Sequence, residues 1–199
     1  MSSRKIKYIL LPVLALFVLA IIFQNLISAD SNSREFISAK NVSAKITGKE
    51  EKFSIEKYKT GEDYQYFLTK NSLFSQKKKI KLSGFEDNIS ICGKESGVDN
   101  AICLIGDVGV HSQNIELIKY SGGNFSVLPF FRDGTSNNNI TSDVPRYDFL
   151  NKDGNTFLIV DQRDYEKDPI SQAIRDSYKS TESGLNFDGA ENITYNNSR

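Results

Sequence analysis

The chain has 199 residues, 25 basic and 25 acidic side chains, 13 Phe and 9 Tyr, no Trp, two Cys and one His. A neutral balance of that kind argues against a nucleic-acid protein, which concentrates Lys and Arg on one surface. One histidine and one cysteine pair argue against a zinc site.

Arg4, Lys5 and Lys7 form a short cytoplasmic segment, residues 1–7, ahead of an uncharged run from Tyr8 to Ala29 built on YILLPVLALFVLAIIF. About 20 apolar residues cross a hydrocarbon layer, and a basic flank stays in the cytoplasm. Residues 8–29 are therefore expected to be a transmembrane anchor in the lipid bilayer, with everything after them extracytoplasmic. Cleavage after Ala29 is the competing reading, since Ile27, Ser28 and Ala29 suit a signal-peptidase site and would release a secreted product. Residues 30–51 carry Ser, Asn, Lys and Ala with thinly scattered apolar positions, the composition of a polar stalk. Residues 52–199 are then long enough for one domain with its own core.

Within that domain, short runs of high β-propensity recur every 10–15 residues: 53–58, 63–69, 79–85, 88–92, 101–106, 114–120, 125–131 and 156–162. Gly-Gly-Asn, Asp-Gly-Thr and Asp-Gly-Asn punctuate them as turns. Lys77, Lys78, Lys79 and Lys81 interleave with Ile80 and Leu82, which places the lysines on the solvated side of a strand. Only 170–178 has helical spacing, with Ile170, Ala173, Ile174 and Tyr178 on one stripe; a strand pair is the alternative. The fold class expected is mainly β, a transmembrane helix followed by one antiparallel β domain of propeller-blade-like sheets or a sandwich.

Cys92 and Cys103 stand on two β-rich runs either side of a turn-forming segment. A hairpin there brings the sulfurs together across the ladder, and an even count in an exported chain suggests a disulfide. Two separately buried thiols are the alternative, because only geometry decides.

An internal similarity links the stretch from Cys103 to Phe130 with that from Phe157 to Gly189: an apolar run reaching an Asp, a polar loop, Ile followed by Tyr, a Gly turn and a closing aromatic. The offset is 54 residues, as 157 less 103, which is the size of a propeller blade. The segment YDFLNKDGNTFLIV at 147–160 resembles the calcium loop of FG-GAP or VCBS-type repeats, where an Asp/Asn-rich loop ending in Asp-Gly leads into an apolar strand. That resemblance implies a β-propeller architecture and places Asp148, Asn151 and Asp153 as oxygen ligands for Ca²⁺. Asp148 lies one residue too far upstream, and Phe157 replaces the closing carboxylate. A simple type I′-like turn at Asp153 and Gly154 accounts for the same residues, so the cofactor expectation is none, with Ca²⁺ as the alternative.

For catalysis, His111 with Asp107 lacks any nucleophile elbow. Asp161, Asp164, Glu166 and Asp168 cluster in DQRDYEKDP, and a glycosidase needs only two carboxyls about 5–10 Å apart. Asp161, Asp164 and Asp168 are thus the site of an alternative function, an exported hydrolase acting on glycans. The favoured function is a membrane-anchored module with a binding or structural role in the cell envelope, its partner another envelope protein or a glycan.

Overall fold

The structure, a computed structural model, describes residues 34–70, 77–92, 98–109, 112–142, 146–163 and 172–194. Among them there are strands and no helix. The first sheet is an antiparallel meander of β1 (Arg34–Ile46), β2 (Lys49–Thr60), β3 (Asp63–Lys70) and β4 (Lys78–Lys81), hydrogen-bonded in chain order. The second repeats that plan with β5 (Asp87–Ile91), β6 (Ala101–Asp107), β7 (Gln113–Ser121) and β8 (Asn124–Leu128). β8 pairs only with Leu117–Ser121, and β11 (Asn139–Ser142) takes the remaining edge of β7 at Gln113–Glu116. The third meander runs through β12 (Tyr147–Lys152), β13 (Asn155–Arg163), β14 (Gln172–Ser180) and β15 (Leu185–Thr194). β9 (Phe130–Arg132) joins it, parallel to β15 through Leu185 and Asn186, with β10 (Thr135–Asn137) on β9's far side.

The second sheet lies between the other two. β6 shows this residue by residue, because successive strand side chains point to opposite faces. Ile102 and Leu104 pack with Phe53, Ile55 and Leu68 of the first sheet. Ala101, Cys103 and Ile105 pack instead with Leu158, Val160 and Tyr178 of the third. A strand covered on both faces reads as one continuous apolar run, and AICLIG is such a run.

Each of the eight expected β runs overlaps a strand, although the run 79–85 is strand only to Lys81, where β4 ends, and 125–131 is divided by Pro129 into β8 and β9. The two similar segments occupy equivalent places, β6 to β8 and β13 to β15, each forming strands two to four of a meander. Lys78, Lys79 and Lys81 line the exposed edge strand β4, where lysine discourages pairing with another chain.

Two expectations need correcting. The segment 30–51, read as a polar stalk, contains β1 and the start of β2, paired along their length from Arg34↔Thr60 to Ile46↔Lys49. Its apolar residues are few but spaced by two, so Val42, Ala44 and Ile46 all reach the first core. The helical stripe at 170–178 is β14 over its described part, where Asp176 and Tyr178 face inward with Val160 and Leu158. The expected transmembrane segment 8–29 lies outside the described residues. No helix among the described residues is long and apolar enough to cross a membrane.

Candidate functional site

Cys92 and Cys103 are joined in a disulfide between the end of β5 and β6, with Cα atoms 5.3 Å apart. The Cys92 amide donates to the Cys103 carbonyl at 3.0 Å, so the bridge continues the ladder. Cys103 is 1 % exposed, in the core shared by the second and third sheets.

The structure brings two of the sequence-predicted acids together. Asp148 faces Ile159 across the β12–β13 ladder, and Asp161 lies two residues further on, hence on the same face of the sheet. Both line a cleft of about 420 Å³ with Arg146 and Arg175. Arg175 donates Nε and Nη2 to Asp161 Oδ1 and Oδ2 at 2.8 and 3.0 Å, the fork that matches guanidinium to carboxylate. Both oxygens of Asp161 are thereby held as acceptors. Glycoside hydrolysis pairs one carboxyl that keeps its proton for the leaving group with a second that is ionised, and the Arg175 pairing suits Asp161 only to the ionised role. Asp164 and Asp168, proposed as its partners, lie outside the described residues, as does His111.

Asp148, Asn151 and Asp153 are spread along a hairpin. Asp148 accepts the Phe149 amide at 2.8 Å, and Asn151 accepts the Thr156 hydroxyl at 2.7 Å. Three residues apart on an extended strand, these two point to opposite faces. Asp153 and Gly154 have φ of 51° and 73°, the paired positive values of a type I′ hairpin turn. Among the described residues no group of three or more His, Cys, Asp or Glu is placed to hold a metal ion.

Buried carboxylates occur in all three sheets. Glu56, Glu116, Asp161 and Asp176 are all nearly excluded from solvent, and three of them meet a cation. Burial pushes Glu56 up, but the Lys77 ammonium with the Tyr58 and Thr69 hydroxyls outweighs this and holds it below its ordinary value. Asp176 receives Arg132 Nη1 at 2.7 Å, yet burial dominates and raises it. Its Oδ1 is buried with no hydrogen-bond partner among the described residues.

Glu116 differs, for among the described residues no cation reaches it. It sits on the face of β7 turned toward the first sheet, opposite Leu104 of β6 and Asn139 of β11. Burial raises its pKa to about 7, against the opposing pull of the Ser83 amide and hydroxyl, which donate at 3.1 and 3.4 Å. Around it, Asn114 Nδ2 donates to the Gly84 carbonyl, and Thr141 Oγ1 donates to Asn114 Oδ1 at 2.6 Å. Ser83 and Gly84, so pinned, line a cleft of about 550 Å³ with Tyr64, Gln65 and Tyr66 of β3. Gly84 has φ of 73°, and a Cβ there would stand 2.5 Å from Asn114 Nδ2, so a larger residue would strain the backbone and push the Asn114 amide off the Gly84 carbonyl. The arrangement can take up or release a proton near neutrality beneath a polar cleft. The signal was an acid set in the apolar run Ile115, Leu117 and Ile118, since unpaired acids are rarely fully buried.

No protein-family description, curated protein or solved structure matches this chain.

Proposed function

We propose that this chain is a single-pass protein of the cell envelope, anchored through residues 8–29, whose extracytoplasmic β domain has a binding or structural role. The observation that carries the reading is the Cys92–Cys103 bridge inside an apolar core, because disulfides persist in oxidising compartments and are rare where glutathione keeps thiols reduced. The leader supplies the route, a basic flank followed by an uncharged span long enough for a bilayer. Three consecutive four-stranded meanders stacked face to face support a propeller-blade-like description of the domain. Its partner is another envelope protein or a glycan.

Two assays on the full chain in cells test this. Acid quenching followed by maleimide labelling should modify neither cysteine unless a reductant is added first, and the chain should remain in the membrane pellet through alkaline carbonate. Two freely labelled thiols in a chain recovered from the soluble cell interior would reject the proposal.

A further inference from the structure

Among the described residues four large apolar side chains are exposed: Phe36 (55 %), Ile37 (43 %), Tyr64 (48 %) and Leu150 (48 %). Three of the four lie at one end of the first sheet. Phe36 pairs with Tyr58 and Tyr64 with Lys59, so Phe36 and Tyr64 flank β2 within two strand spacings, about 10 Å. Ile37 occupies the irregularity between Phe36 and Ser38. Tyr58 and Lys59 are adjacent on β2 and face opposite ways, so Phe36 and Tyr64 project from opposite faces of the sheet.

That geometry discriminates between occupants. A protein packed on one face of the sheet would cover Phe36 or Tyr64 and leave the other in water, whereas a surface met end-on touches both. The same end carries cations such a surface uses, Arg34 and Lys57, together with the acids Glu35, Glu62 and Asp63 around the β2–β3 turn. Lys57 Nζ lies 4.2 Å from the Tyr64 ring centroid while also meeting Asp87 at 3.4 Å, and Arg34, the first residue of β1, is exposed two positions from Phe36. Aromatic rings beside Lys and Arg suit the headgroup layer, where the ring enters the apolar boundary and the charge stays wet.

Chain length fixes the source of that layer. Only residues 30–33 separate the uncharged run ending at Ala29 from Arg34, and four residues span at most about 14 Å. We infer that this end of the first sheet, through Phe36, Ile37 and Tyr64, rests in the headgroup region of the same bilayer that holds residues 8–29. The inference depends on the anchor proposed above, and it makes the domain a plate standing on the membrane rather than a head on a stalk.

The chain has no tryptophan, so a single introduced one reports only its own surroundings. Full-length Phe36→Trp, Tyr64→Trp and Leu150→Trp variants would be reconstituted into phosphatidylcholine vesicles containing a brominated-acyl lipid. All three positions are exposed, so the exchanges leave the core intact. Emission from Phe36→Trp and Tyr64→Trp should be blue-shifted and quenched several-fold more than emission from Leu150→Trp. Equal, weak quenching at all three positions, in protein that stays with the vesicles through alkaline carbonate, would overturn this inference and leave the anchor standing. Protein stripped from the vesicles by carbonate would overturn the anchor and the inference together.

Discussion

β6 and β1 are both long-paired strands, and they sit at opposite extremes of burial. Six of the seven residues of β6 are buried, whereas the first eight residues of β1 are exposed and only Ala44 and Ile46 near its end are buried. The difference follows from position: β6 is central in the middle layer, with a sheet against each face, while β1 is the outer edge of the first layer. A strand in the middle layer is held by packing on two sides, and a strand at the edge mostly by its ladder. Energy should therefore be concentrated in the second sheet.

The largest test of that contrast is Leu104→Ala. A fully buried leucine truncated to alanine costs about 2–5 kcal/mol, part of it from the cavity left behind. Ile80→Ala on the half-buried edge strand β4 should lower the urea midpoint by less than half as much. Equal losses would mean that the middle layer is not special.

Glu116 gives the next largest effect, and its sign is distinctive. Its folded pKa of about 7 lies above the ordinary 4.5, so the folded state binds the proton more tightly than the unfolded chain. Stability from this group is complete below about pH 4.5 and is lost as pH rises through 7, by about 3 kcal/mol in all. Urea titrations at pH 5 and pH 8 should show wild type weakening with rising pH. Glu116→Gln, which keeps an acceptor for the Ser83 amide, should flatten that fall. A pH-independent wild type would refute the assignment.

Replacing both Cys92 and Cys103 by Ser should cost about 2–3 kcal/mol, the loop-closure contribution of a bridge between residues 11 apart. Denaturation with and without reductant gives the same comparison in the unmutated chain. At the small end, Leu150→Ser on the outward face of the third sheet should change stability by less than about 0.5 kcal/mol, since that side chain is already half in water.

The same contrast explains what could be read from the residues alone. AICLIG, NIELIKY and TFLIVDQ announce themselves because strands covered on one or both faces leave dense apolar runs. The disulfide was legible because its cysteines flank a turn composition that only a hairpin satisfies economically. β1 was hidden: its inward residues are Val42, Ala44 and Ile46, too small and too few to stand out among Ser, Asn and Lys. β14 was hidden by register, because Ala173, Ile174 and Tyr178 mimic a helical stripe until their ladder partners are known. The cleft of Asp148 and Asp161 was half legible. The acids drew notice, but which residue faces Asp161 depends on the β13–β14 pairing, and nothing local marks Arg175 as its partner. Glu116 was passed over because the group that covers and binds it, Ser83, comes from the connection between β4 and β5.

One feature of the third sheet bears on how the chain reaches this state. β9 leaves β8 after a single proline, yet its parallel partner is β15, whose first residue Leu185 meets Phe130. That contact spans 55 positions, 185 less 130, and non-local strand pairings are slow to form. In a chain delivered amino end first, the Cys92–Cys103 bridge can close while β9 still has an open edge. The closing seam is therefore set by β15, the last of the described strands, and a chain truncated before Leu185 would leave the 130–137 hairpin without its ladder partner, held only by packing such as Phe130 on Tyr178.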